Sequence, residues 1–166
     1  MEGSKHMKQI PEIISELPNL IQPFVEMIYD VTGDGHCGYR AISACLGPRW
    51  FYTNMSTNSS RNQKQKEMWM VMLAMAGPMA NAFKRAIFFF SPSYSHAALS
   101  HFPNNPPIII ALISSRKHYV VLELKDHLPF PSPRPLSNRH MPPSNQALGW
   151  YQKYSPCFEL LESMIR

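Results

Sequence analysis

Residues 34–42 read DGHCGYRAI and join a glycine-rich turn to the start of an amphipathic helix. The glycines of the turn allow backbone conformations that other residues disfavour. From Cys37 to Leu46 the apolar residues fall on one helical face, and the Gly-Pro pair that follows is a helix stop signal. The stretch therefore predicts a helix over Cys37–Leu46 with Cys37 at its N-terminus.

A cysteine in this position has a physical reason to be reactive. The positive end of the helix dipole stabilises a thiolate, and the backbone N–H groups of the preceding loop can converge on an oxyanion. A thiol nucleophile also needs a base, and His118 opens a clear strand from which it can reach a distant helix terminus. The alternative is that Cys37 is a small buried residue capping a helix. The pattern alone leaves both interpretations open.

The rest of the chain predicts a mixture of helices and strands around a small central sheet. Apolar residues recur at helical spacing over 10–27, where three prolines cut the pattern into one or two short helices. The other predicted elements are a polar mobile loop (Asn54–Gln65), a helix (Glu67–Arg85) broken or kinked at Gly77 and Pro78, strands (Ala86–Phe90, Pro107–Ile113, Tyr119–Leu124), an extended proline-rich segment (Leu128–Pro143) and a last helix (Cys157–Ile165).

Composition indicates one globular domain. The chain has 166 residues, 45% of them hydrophobic and 16% charged, which excludes a chain disordered throughout. Residues 1–10 are expected to form a flexible N-terminus that could be left over from cloning, and residues 11–166 a single domain. The N-terminus lacks the apolar core of a secretory signal, and no apolar stretch approaches the roughly 20 residues that cross a bilayer. We therefore expect neither export nor a membrane partner.

The cysteines and the net charge indicate the compartment of the protein and which partners are not expected. Three cysteines cannot all pair with one another, which favours a reducing compartment, the cytoplasm or the nucleus. They also lack the short paired spacing of a zinc site, so no metal is expected. Cys45 is predicted to lie in the core, and Cys157 has no histidine partner in sequence. The net charge of +5 comes from scattered Lys and Arg, so nucleic-acid binding is not expected.

The block DGHCGYRAI at residues 34–42 resembles the cysteine block of the ovarian tumour (OTU) family of deubiquitinases. That block runs Asp, Gly, any residue, Cys, then an aromatic residue and Arg. The family's second block, a histidine followed by an aromatic residue and a hydrophobic strand, is similar to HYVVL at residues 118–122. Both order and separation agree, and the likeness covers most of the chain. It is greatest to the OTU-like domains of transposon-associated plant and fungal proteins.

The resemblance implies an α+β fold of the papain-like cysteine protease type. It implies a ubiquitin thioesterase and isopeptidase that hydrolyses the bond after the C-terminal Gly-Gly of ubiquitin or a ubiquitin-like protein, acting as a monomer. Cys37 would be the nucleophile and His118 the general base, and no cofactor is needed because a thiol and an imidazole suffice. The backbone of Asp34, Gly35 and His36 would form the oxyanion hole. The side chain of Asp34 would hold the shape of that loop, which adds Asp34 to the expected catalytic set.

One departure from the family concerns the third catalytic residue. Many members carry Asp or Asn two residues after the histidine to orient the imidazole, and this chain has Val120 there. The conceivable substitutes are Asp30, Asp34, Asn138 and Asn145. A Cys and His dyad is also chemically sufficient, because the orienting group contributes less than the nucleophile or the base.

Two rival functions stay open. Val120, together with a middle segment shorter than in relatives, is compatible with a catalytically impaired module that binds ubiquitin without turnover. The basic charge is compatible with an accessory domain of a mobile element that contacts nucleic acid, which would require steeply salt-dependent DNA binding. Trp69 and Trp150 are predicted to be buried packing residues, with the alternative that either lines a channel for a Gly-Gly tail.

Overall fold

The structure is a computed structural model that describes residues 11–31, 37–46, 72–99, 105–125, 129–135 and 145–166. Its helices are α1 (Pro11–Ile14), α2 (Cys37–Leu46), α3 (Met72–Phe83) and α4 (Asn145–Met164). Its strands are β1 (Val25–Tyr29), β2 (Ile87–Phe90), β3 (His96–Ala98), β4 (Ile108–Ile113) and β5 (His118–Leu124). Short 3-10 turns cover Gln22–Phe24 and Ser114–Arg116. The predicted α+β class, a sheet flanked by helices, is confirmed.

The five strands form one sheet in the order β1-β5-β4-β2-β3. Strand β2 pairs with β4 in parallel, and the other three pairings are antiparallel. These directions bring the ends of β1, β2 and β4 and the starts of β3 and β5 to the same end of the sheet. We call it the His118 end, because β5 begins there with His118.

Side chains on the two faces of the sheet form two buried layers. Successive residues of a strand point to opposite faces, so β5 sends Val120 and Leu122 to one layer and Tyr119 and Val121 to the other. The first layer packs against α4 and the segment 11–24. The second packs against α2 and α3 and contains Cys37. Burial on both faces explains why β2 reads IFFF, an apolar run without alternation.

The sequence predicts that the third helix breaks or kinks at Gly77 and Pro78, and the break is wrong. Helix α3 continues through Gly77 and Pro78 to Phe83. Proline inside a helix removes one backbone hydrogen bond at a cost of about 3 kcal/mol. Burial of Met79 and Ala80 on the sheet opposes that cost. The helix ends before Lys84, which adopts the left-handed conformation at φ 57°, a common helix terminus.

Three other boundaries differ from the sequence predictions. Helix α4 begins at Asn145 and passes through Pro156, whereas the prediction began at Cys157. Residues 25–29, assigned mostly to a helical pattern, form strand β1, because pairing with β5 overrides the local spacing. Strand β3 was not predicted, since three residues are too few to show alternation.

Some sequence predictions fall outside the described residues. They are the flexible N-terminus at residues 1–10, the polar loop at 54–65 and most of the proline-rich segment. Of that segment, residues 129–135 belong to no helix or strand, and the Ser132 N–H donates to the Cys157 carbonyl at 3.1 Å. No helix in the described parts of the chain is both long and apolar enough to cross a bilayer.

Trp150 is the side chain whose loss we expect to destabilise the first layer most. It is fully buried and stacks on Tyr154, with ring centroids 5.2 Å apart. Trp150→Ala leaves a large cavity and should lower the free energy of unfolding by about 3–5 kcal/mol, measured by urea titration. Leu148→Ala, an exposed position on the same helix, is the matched control and should change it by less than about 0.5 kcal/mol. Equal losses in both variants would contradict this role for Trp150.

Candidate active site

The candidate nucleophile lies at the first residue of α2, as the sequence predicts. Cys37 is buried against strand β5, and its thiol bonds the main chain there. The Sγ atom accepts a hydrogen bond from the Tyr119 N–H at 3.4 Å and lies 4.0 Å from the Lys117 carbonyl oxygen, to which it donates. The thiol therefore contacts the backbone on both sides of His118.

The turn between β4 and β5 presents the candidate base. Its 3-10 helix is followed by Lys117, which adopts the left-handed conformation at φ 48° and donates its N–H to the Ser114 carbonyl. The backbone then enters β5, where His118 pairs with Ile113 of β4. A left-handed residue other than glycine is strained, and such strain often lies beside functional groups. Here it turns the chain so that the Lys117 carbonyl meets the thiol.

The third residue of the arrangement is Asp30, at the end of β1. Its Oδ1 atom lies 2.6 Å from His118 Nε2, across 88 residues of sequence, and also accepts the Val31 N–H at 2.8 Å. The β1–β5 register pairs Tyr29 with Val121, so its continuation sets Asp30 opposite Val120. Diagonal neighbours on paired strands are within reach of each other's side chains. The carboxylate thus comes from the strand beside β5, while Val120 is buried in the first layer.

The Asp30 contact assigns the roles of the two imidazole nitrogens. The side chain of His118 is 15% exposed and that of Asp30 is 39% exposed. With Nε2 carrying the proton donated to Asp30, the neutral ring keeps a lone pair on Nδ1. Nδ1 is then the ring nitrogen that can accept a proton. The site therefore holds a thiol beside the backbone at residue 118 and an imidazole paired with a carboxylate.

No protein-family model, curated protein or solved structure matches this chain.

Other residues proposed from sequence are placed as follows. Asp34, Gly35 and His36, together with Asn138 and Trp69, lie outside the described residues. Asn145 opens α4, and Trp150 lies in the layer that α4 covers, whereas Cys37 belongs to the layer on the other face of the sheet. Trp150 is therefore a packing residue, and the alternative that it lines a channel is wrong. Among the described residues, no group of three or more potential ligands is placed to hold a metal ion.

The other two cysteines differ from Cys37 in their surroundings. Burial raises the pKa of Cys45 to about 11, although the nearby Arg85 guanidinium opposes the shift. Burial also raises the pKa of Cys157, against a backbone hydrogen bond from Phe130. Thiolate formation at neutral pH is disfavoured at both positions. Neither residue opens a helix, since Cys45 lies next to the end of α2 and Cys157 in the middle of α4.

Aromatic residues near the thiol were not predicted from the sequence. The ring of buried Phe89 lies 5.8 Å from that of Tyr119 and 5.5 Å from that of Tyr94. Burial raises the pKa of Tyr119 to about 12, with Tyr94, the thiol and Tyr39 raising it further. Tyr94 is 44% exposed and lies on the β2–β3 turn, at the His118 end of the sheet. The only available signal was an aromatic residue among turn formers, in SPSYS at residues 91–95.

Proposed function

We propose that this chain is a cysteine isopeptidase of the OTU type that cleaves after the C-terminal Gly-Gly of ubiquitin or a ubiquitin-like protein. The observation that carries the proposal is the arrangement of Cys37, His118 and Asp30. The thiol contacts the backbone on both sides of the histidine, and the histidine is paired with a carboxylate at 2.6 Å. The resemblance of residues 34–42 and 118–122 to the OTU blocks supports the choice of substrate.

The first half of the reaction forms an acyl-enzyme. The Cys37 thiol turns from the Lys117 carbonyl toward Nδ1 of His118, which takes its proton. The thiolate attacks the carbonyl carbon of the terminal glycine and forms a C–S bond. N–H groups at the start of α2 have no partner within the helix and can stabilise the oxyanion, and the OTU resemblance assigns the same role to the backbone of residues 34–36. The isopeptide C–N bond then breaks, and the imidazolium returns the proton to the leaving amine.

The second half releases the product. His118 removes a proton from water, which attacks the thioester carbonyl. The C–S bond breaks, the glycine leaves as a carboxylate, and Cys37 regains its proton. Asp30 holds the imidazole in the required tautomer and stabilises its positive charge in both halves. Every group that the cycle needs is a side chain or a backbone amide of this protein, apart from water.

The substrate tail is proposed to run along the His118 end of the sheet. It would pass between the β4–β5 turn, which carries His118, and the β2–β3 turn, which carries Tyr94. The exposed ring of Tyr94, which packs on Phe89, lies on this route. Glycine has no side chain, so a Gly-Gly tail can lie in van der Waals contact with aromatic rings that would exclude larger residues.

Labelling with a ubiquitin that carries a C-terminal electrophile tests the proposal. Intact-mass spectrometry should detect one adduct on the wild-type protein and none on Cys37→Ala. Cys45→Ala is the matched control and should label like the wild type, because burial raises the pKa of Cys45 to about 11. An adduct that persists in Cys37→Ala, or a folded wild-type protein that forms no adduct, would refute the assignment.

The burial of Cys37 favours a second candidate function. The residue is only 4% exposed, and a thiol that stays bound to the main chain of β5 cannot attack a carbonyl. The protein would then bind ubiquitin without turnover. Binding measured by titration calorimetry, combined with the absence of an adduct on the wild type, is the result that this candidate predicts.

A further inference from the structure

The N-terminal segment contacts the turn that carries the catalytic histidine through Glu16. One carboxylate oxygen, Oε1, lies 3.1 Å from Nη2 of Arg116. The other, Oε2, accepts a hydrogen bond from the hydroxyl of Ser115. Both partners belong to the 3-10 helix at Ser114–Arg116. A single carboxylate therefore joins two consecutive residues of the β4–β5 turn.

This turn sets the position of two groups that the proposed reaction uses. Arg116 is followed directly by Lys117, whose carbonyl meets the Cys37 thiol at 4.0 Å, and then by His118. Lys117 is held in the left-handed conformation, which persists only where the surrounding contacts maintain it. Pairing of β4 with β5 holds the two ends of the turn, and Glu16 holds its outer side.

Glu16 is itself held in place by the first buried layer. Its N–H donates to the Ile13 carbonyl at 3.0 Å, and Ile13 and Leu17 are almost fully buried. The backbone at residue 16 therefore moves with the core. The side chains of Glu16 and Arg116 are 26% and 52% exposed, and ion pairs this exposed contribute little to stability. The Glu16–Arg116 ion pair therefore contributes little to the stability of the fold.

We propose that Glu16 is a positioning residue that keeps the β4–β5 turn, and with it the Lys117 carbonyl and the His118 imidazole, aligned with Cys37. The inference rests on the proposed function. The segment 11–24 covers the face of the sheet opposite α2. Through Glu16 this segment becomes a determinant of the catalytic rate. A change in that segment would alter the alignment of the nucleophile and base without touching the substrate.

Steady-state kinetics on a ubiquitin conjugate gives the first test. Small misplacements of reacting groups have large effects on rate, so we expect Glu16→Ala to lower kcat about 10-fold with KM unchanged. Glu12→Ala, an exposed acid one turn earlier, should leave both constants unchanged. Combining Glu16→Arg with Arg116→Glu restores the ion pair in reverse and should recover most of the lost kcat. Loss through KM alone, or no recovery in the reversed pair, would overturn the inference.

Alkylation of Cys37 by iodoacetamide, followed by peptide mass mapping, gives a test that needs no ubiquitin. At pH 7 we expect Glu16→Ala to slow alkylation several-fold in the wild-type background and to have no effect in the His118→Ala background, because coupled residues are not additive. Equal slowing in both backgrounds, or none in either, would overturn the role of Glu16. A wild-type protein that shows the coupling but forms no ubiquitin adduct would refute only the proposed substrate.

Discussion

His118→Ala is expected to lower kcat for cleavage of a ubiquitin conjugate by about 10³-fold, since a positioned general base contributes roughly 10²- to 10⁴-fold. In the proposed mechanism the imidazole removes the thiol proton, and the Asp30 contact leaves Nδ1 as the acceptor. The variant should fold, because the side chain is 15% exposed and lies outside both buried layers. Single-turnover kinetics with a fluorogenic ubiquitin substrate measures the loss.

His96 offers a matched control for His118. It opens β3 at the same end of the sheet, and burial lowers its pKa. Strand β3 is separated from β5 by β4 and β2, which keeps this imidazole away from the thiol. His96→Ala should retain kcat within a few-fold. Comparable losses in His96→Ala and His118→Ala would show that the base has been misassigned.

Asp30→Ala should lower kcat by about 10²-fold and Asp30→Asn by a similar or smaller factor. In the proposed mechanism the carboxylate fixes the tautomer of His118 and stabilises the imidazolium. Its 39% exposure lets water share that stabilisation, so we expect a smaller effect than in fully buried triads. KM should stay unchanged, because Asp30 contacts the base and not the substrate.

Glu26→Ala is the control for Asp30. Glu26 is an exposed acid on the same strand, and its loss removes a similar charge from β1. Pre-steady-state measurements should show an unchanged acylation rate for Glu26→Ala and a reduced one for Asp30→Ala. An acylation rate within twofold of wild type for Asp30→Ala would favour a Cys and His dyad instead.

The positions of the candidate nucleophile and base could be predicted because their signals are local. A turn followed by a helical repeat places Cys37 at a helix start, and alternation after residue 118 places His118 at a strand start. Both depend on sequence spacing over fewer than ten residues. Their catalytic roles stay predictions, supported by the geometry and by the OTU resemblance.

The third residue could not be selected from the sequence. Asp30 was one of four candidates, and choosing among them requires the register between β1 and β5. That register depends on burial of both faces of the sheet, which a pattern in one strand does not reveal. The two prolines inside helices were misjudged for a related reason. At Pro78 and Pro156 the local penalty is opposed by core packing of neighbouring residues.

The pairing of β1 with β5 also has a consequence for folding kinetics. Asp30 and His118 meet only when this pairing closes a loop of 88 residues, whereas the β4–β5 hairpin closes through a short turn. Closing long loops costs more chain entropy, and non-local pairings slow folding. After dilution from denaturant, secondary structure should therefore return before enzymatic activity. The lag between the two signals would report the docking of a single edge strand.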